Sequence, residues 1–235
     1  MASSDLLDRS ISLLGTWSGA DKTLMLVAYS SKVAAYLAGK TNNSANAMRL
    51  NTLAATLGDG RMLFRFWGIL PVINGARRAL YVKKSPKATA IDSVQTLMLL
   101  LFYPLEHAYY LACKRIIPLH PSRAAAAAKW SIRVWAVYLA LQFVRFYDDY
   151  KRLQADTKHV IEASKEEEPT KAARMAEIKL RRESLRNALI RDVGYAPLAL
   201  HWSAAGGVLP NDGWVGIFGA VAAYAQLRDI WSRIR

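Results

Sequence analysis

The stretch "GDGRMLFRFWGILPVINGARRAL", residues 58–80, decides how the rest of the chain is read. It reads as a helix that is apolar over most of its surface, yet from Gly60 onward it carries four arginines, no acid, and Pro71 near its middle. A soluble core has little use for Arg61 and Arg65 among Met62, Leu63, Phe64, Phe66 and Trp67, and a clean membrane span avoids them as well. On a wheel of about 100° per residue, Arg61, Arg65, Gly68 and Val72 fall together while Leu63, Trp67 and Leu70 fall roughly opposite. A narrow basic edge on a wide apolar helix suits a segment lying in the headgroup plane. Its arginines would reach phosphates and its bulky side chains would enter the acyl boundary. The alternative is an amphipathic helix packed on its own protein's core.

The surroundings favour lipid. From Gly60 to Ile91 there are seven Lys or Arg, among them Arg77, Arg78, Lys83 and Lys84, and no acid. The whole chain, 235 residues, has a formal charge of +14 from 32 basic and 18 acidic residues, which implies a polyanionic partner. Residues 145–191 hold 12 basic and 9 acidic residues in a mixed, water-loving stretch. The remaining basic residues alternate with apolar runs, the pattern of a chain that meets anionic headgroups. Nucleic acid is not expected as a partner: no zinc, homeodomain or RNP-type signature accompanies the charge.

The single Cys113 excludes an intrachain disulfide and a multi-cysteine metal site, in keeping with a reducing, cytosol-facing environment. The start, "MASSDLLDRSISLLGTW", has Asp5 and Asp8 and no apolar stretch of signal-peptide length, so a secretory signal is not expected. The end, "WSRIR", matches no carboxy-terminal retention, peroxisomal-matrix or prenylation signal.

Along the chain, 21–38 is an unbroken helix behind a Ser18-Gly19 break, with Asp21 suited to its first turn and Gly39 closing it. "KTNNSAN", 40–46, is a polar loop, and a second helical region runs from about Ala47 to Val82 with glycines and Pro71 as places to kink. Residues 91–113, "IDSVQTLMLLLFYPLEHAYYLAC", approach the roughly 20 residues a spanning helix requires. Asp92, Gln95, Tyr103, Glu106 and Tyr110 nevertheless share one arc, and Pro104 predicts a kink. A carboxylate at that depth is costly, so Glu106 should face protein, water or a headgroup, or be protonated. Residues 123–150 carry an apolar stretch too short to span without its flanks, so partial insertion and packing on protein fit equally. Residues 151–188 read as a charged, solvent-exposed part, with "KEEEPTK" as a turn or linker and a following amphipathic helix. Val193–Leu209 and Trp214–Gln226 are free of formal charge and separated by "PNDG", which predicts a membrane hairpin. Within it, Gly216/Ala220 and Gly219/Ala223 form small-xxx-small pairs that suit hairpin packing or contact between copies. A buried hairpin of a soluble bundle is the alternative, since each arm falls short of about 20 residues.

The expectation is an all-α, membrane-associated helical bundle with amphipathic helices and a carboxy-terminal helical hairpin, in one domain over 1–235. Its parts are 1–90 (amphipathic), 91–150 (embedded), 151–188 (charged and exposed) and 189–235 (hairpin).

Little here predicts chemistry. Asp148-Asp149 has no second acidic cluster and has Arg145, Lys151 and Arg152 to neutralise it, which predicts an ion-paired helix rather than a metal site. The four histidines are scattered, and no His-Glu-x-x-His or Cys-x-x-Cys occurs. "GDGR" and "AAGGVL" lack the Lys-Ser/Thr of a phosphate loop. Neither an enzyme activity nor a cofactor is expected.

Three stretches resemble the peroxin-11 family of peroxisomal membrane proteins: "GADKTLMLVAYSSKVAAYL" at 19–37, "RLNTLAATLGDGRMLFRFWGILPVINGARRAL" at 49–80, and "LIRDVGYAPLALHWSAAGGVLPNDGWVGIFGAVAAYAQLRDIW" at 189–231. They follow the family's order, a loose pattern of Asp/Lys-led apolar helix, basic amphipathic helix and carboxy-terminal hairpin. The chain is similar to the divergent third, C/gamma-like type. The apolar run at 97–105 with Pro104 departs from that pattern. The resemblance implies an integral protein of the peroxisome membrane that drives elongation and proliferation before fission, binds anionic phospholipid, self-associates, and recruits a dynamin-related GTPase and its adaptors. It also implies that 58–80 is the membrane-remodelling helix, acting through Arg61, Phe64, Arg65, Phe66 and Trp67 with Arg77 and Arg78 beyond. A pore for small metabolites, lined by Asp92, Gln95 and Glu106, is the alternative. A helical scaffold with no intrinsic activity is a third reading.

Overall fold

The structure, a computed structural model, describes residues 2–79, 81, 85–162 and 168–234, and these residues contain helices and no strand. In chain order the helices are α1 (Ala2–Leu14), α2 (Trp17–Lys40), α3 (Ser44–Phe64), a 3-10 turn (Arg65–Gly68), α4 (Ile69–Ala79), α5 (Pro86–Cys113), α6 (Pro121–Glu162), α7 (Glu168–Ser203) and α8 (Asp212–Arg233).

Local chemistry sets most boundaries. Thr16 caps α2 by accepting from Gly19 N at 3.0 Å, so the helix opens before Asp21 and places that acid in its second turn. Asn42, at φ +58°, and Asn43, which caps α3, turn the chain back. Ser85 caps α5, and Pro86 fills the first position, where no N–H is needed. The hairpin turn is longer than "PNDG" alone. It begins after Ser203, passes through Gly206 and Gly207 at positive φ, and is held by His201 Nδ1, which accepts from Val208 N and Leu209 N at 2.9 and 3.0 Å.

Two helices are longer than the sequence predicts. α6 runs unbroken across 150 to Glu162, and α7 joins the charged stretch to the first hairpin arm. Composition changes at 150 and at 188, but nothing there breaks a backbone. Part of "KEEEPTK", with Lys83 and Lys84, lies outside the described residues.

Neighbours in space run α3, α2, α8, α7, α6, α5, and α5 also meets the 3-10 turn, α4 and α3. One buried cluster lies where α2 and α8 cross: Met25, Ala222 and Ala223, with Leu26, Tyr29 and Tyr195 packed on them. A second small cluster, Leu153, Val160 and Ile178, joins α6 to α7 where they extend beyond the other helices. The accessible surface is 14988 Å2, against about 10,600 Å2 for a soluble monomer of 26.2 kDa. The excess is rich in apolar side chains: this chain does not cover its own oil. α5 is long and apolar enough to cross a membrane, and little of it is buried by protein. Cys113, its last residue, is exposed.

Candidate functional site

The 58–80 segment is not one continuous helix. Pro71 has no N–H to give to the carbonyl of Trp67, and its ring crowds that carbonyl, so the helix tightens into the 3-10 turn at Arg65–Gly68 before resuming as α4. Gly68 makes the turn fit: a Cβ there would lie 2.5 Å from Tyr103 Oη on α5.

Both arginines turn to protein, Arg61 from the last turn of α3 and Arg65 from the start of the 3-10 turn. Arg61, expected at a lipid edge, is 9% exposed, with Nε 2.8 Å from Asp21 Oδ1. Arg65 Nη1 lies 2.7 Å from Glu106 Oε1, and Glu106 is 5% exposed. Each guanidinium therefore has a carboxylate where a lipid phosphate was expected. Together the two pairs pin the end of α3 to α2 on one side and to α5 on the other. Burial works against ionisation of Asp21, but Lys22 and Arg61 outweigh it and hold the carboxyl below its ordinary value.

What faces outward is the apolar half. Trp67 is 65% exposed and Leu70 55%, flanked by exposed Leu63, Phe64 and Ile73. Phe64 meets the exposed Trp17 edge-on, ring centroids 5.3 Å apart. Beyond Trp17, α1 turns Leu6, Leu7, Ile11 and Leu14 outward, extending the apolar border. Phe66 departs from its neighbours, stacking inward on His107 at 3.8 Å. Arg77 and Arg78, in the last turn of α4, are exposed.

The polar stripe on α5 also turns to protein. Asp92 receives Arg145 of α6 at 3.0 Å, and Gln95 Nε2 donates to the Tyr138 carbonyl at 3.5 Å. Asp148 pairs with Lys87 and Asp149 with Arg145, and no group of ligands fit for a metal occurs among the described residues. Gly216 and Gly219 pack on α2: a Cβ at Gly216 would lie 2.8 Å from the Tyr29 carbonyl, and one at Gly219 would enter the Tyr29 ring. Ala223 is buried against Met25 and Ala220 is half-buried, while the close contact within the hairpin falls to Gly194, beneath Phe218 and Ala222. Sequence reasoning missed Asp21 as the partner of Arg61, Trp17 as part of the border, and the outward face of α1. The alternation of α1 carried a signal, but a pairing across forty residues leaves none.

A family model described as Peroxisomal biogenesis factor 11 (PEX11) matches residues 7–231, nearly the whole chain. The chain belongs to that family: it is a peroxisomal membrane protein, and membership implies a role in proliferation and elongation of that membrane. No curated protein and no solved structure matches it.

Proposed function

We propose that this member of the family reshapes the peroxisomal membrane by laying the apolar border from Leu63 to Ile73 into one leaflet. The observation that carries the reading is the pairing of exposed Trp67 and Leu70 with exposed Arg77 and Arg78 on an element fixed at its root by Arg61 and Arg65. Bulky side chains at acyl depth expand one leaflet and favour curvature, while arginines hold the wedge near the phosphates. The carboxylate pairs give the wedge a fixed seat, so its insertion is transmitted to the bundle rather than absorbed by a loose tether. The roles first assigned to Arg61 and Arg65 pass to Arg77 and Arg78. Self-association, and recruitment of a dynamin-related GTPase with its adaptors, belong to the same reading through the family's part in proliferation; the small residues of α8, packed on α2, do not supply the contact between copies. No activity as an enzyme belongs to it.

The test is reconstitution into anionic liposomes of the wild type and of Trp67→Asp with Leu70→Asp. Tubules should form with the wild type and fail with the variant, with no release of a small trapped solute. Equal tubulation by a folded variant would overturn the wedge.

A further inference from the structure

Beyond the other helices, α6 and α7 continue as a two-helix arm built on Leu153, Val160 and Ile178. Of the 38 residues from 151 to 188, 17 are charged, so the arm stands in water. Along it runs a groove of about 480 Å3, lined on α6 by Tyr150, Gln154, Thr157 and Ile161 and on α7 by Arg182. The α6 residues follow at steps of four, three and four, the stripe on which a further helix packs. Ile161 is 61% exposed and Tyr150 44%. Oil on a water-facing arm calls for a protein cover rather than a lipid one.

The rims of the groove are basic. Lys179 and Arg186 stand one turn to either side of Arg182 on the same face of α7, and all three are exposed and form no ion pair among the described residues. On the α6 side Lys158 takes Glu162 at 3.8 Å, and Glu162 is the one acid in the lining. Four bases against one acid fit an occupant that is apolar on one face and acidic beside it.

This chain carries such a helix. In α1, Leu7, Ile11 and Leu14 recur at i, i+4 and i+7 and are exposed, as are Asp5 and Asp8, which form no ion pair among the described residues. Arg9, the one base of α1, is turned back over the Trp231 ring at 4.5 Å. At 1.5 Å per residue α1 is about 20 Å long, and the groove floor from Tyr150 to Ile161 about 17 Å. Anionic headgroups repel the α1 carboxylates, whereas the basic rims match them.

Within one chain, α1 touches α2 and α8 and neither α6 nor α7 among the described residues. Arg9 Nη2 gives to the Trp231 carbonyl at 3.1 Å, and Arg233 Nη2, near the same end of α8, gives to Ser184 Oγ on α7 at 3.0 Å. α1 therefore stands at the end of the bundle from which the arm projects. Two copies side by side in one membrane present α1 and the groove on the same side of it.

We infer that α1 of one copy docks in the α6–α7 groove of a second copy, with Leu7, Ile11 and Leu14 against Tyr150 and Ile161 and with Asp5 and Asp8 toward the Lys179, Arg182 and Arg186 rim. The inference rests on the self-association within the reading above, not on the wedge, and it names the surfaces that meet.

The test uses two differently tagged full-length forms, both with Cys113→Ser, reconstituted together in liposomes and treated with a short bismaleimide. One carries Leu7→Cys and the other Ile161→Cys. A cross-link bearing both tags is expected, whereas Leu180→Cys, exposed and turned away from the groove, should give little. Lys179→Glu with Arg182→Glu on the groove copy should slow the cross-link about tenfold, and Asp5→Lys with Asp8→Lys on the other copy should bring it back. A rate unmoved by the charge reversal would overturn the inference. Equal cross-linking at Ile161→Cys and Leu180→Cys, with the two tags still co-purifying, would overturn this surface and leave self-association standing. Tags that never co-purify would sink self-association itself. Cross-linking confined to chains that carry both cysteines would give the groove to the chain's own α1 and overturn the second copy.

Discussion

Arg61 Nε sits 2.8 Å from Asp21 Oδ1, forty residues back along the chain, and both side chains are buried. The arginine that looked most out of place in an apolar helix is the one that fastens that helix to its neighbour.

Arg61→Ala leaves Asp21 buried with Lys22 as its remaining basic partner. Removing one member of a buried pair costs about 3–5 kcal/mol, so the variant should melt well below the wild type in detergent. The swap Asp21→Arg with Arg61→Asp should recover part of the loss. Equal melting of Arg61→Ala and wild type would show that the pair contributes nothing.

The same carboxylate sets an acid limit. Because the Asp21 carboxyl is held below its ordinary value in the folded chain, its contribution is fully present above that ordinary value. It declines as pH falls below that point and is gone once pH passes the lowered folded value. Comparing the acid-melting profiles of wild type and Asp21→Asn should show the two converging toward the acid end and separated near neutrality.

Arg77→Gln with Arg78→Gln should weaken binding to anionic vesicles by about 2 kcal/mol, roughly thirtyfold in partition, at about 1 kcal/mol per charge. Binding to neutral vesicles should change little, and the wild-type advantage should shrink as salt is added. Vesicle flotation measures all three.

Glu106→Gln deprives Arg65 of its charged partner while preserving shape. A loss of about 1–3 kcal/mol in stability is expected, with solute release from loaded vesicles unchanged. Conduction in the wild type that disappears in this variant would restore the pore lined by Asp92, Gln95 and Glu106.

Gly219→Ala places a methyl group inside the Tyr29 ring, and overpacking of this kind costs about 1–3 kcal/mol. The same change at Gly75, where a Cβ meets nothing within 4 Å, should be tolerated. Melting temperatures of the two variants should therefore separate clearly.

The all-α architecture could be read from local punctuation, since Pro86 and the glycine and asparagine turns act on the backbone where they stand. The ends of α6 and α7 could not, because a shift from apolar to charged sequence at 150 or 188 changes the solvent a helix prefers without interrupting its hydrogen bonds. The small residues of α8 were legible as a place of close approach. Their partner, α2, was not, since a smooth face fits any helix that reaches it. Arg61 and Arg65 show the deepest limit: a guanidinium on an oily helix reads the same whether its anion is a lipid phosphate or a carboxylate from a distant helix. Asp21 and Glu106 were both in view, but only the fold brings them to the arginines.

Cys113 gives the protein a built-in reporter. It is the only thiol in the sequence, it is exposed, and it closes the one described helix long and apolar enough to cross a membrane. A membrane-impermeant maleimide added to intact peroxisomes will therefore label the native chain at one position or not at all. Labelling would put the end of α5 on the cytosolic side, and protection that vanishes on permeabilisation would put it on the lumenal side, with no residue engineered.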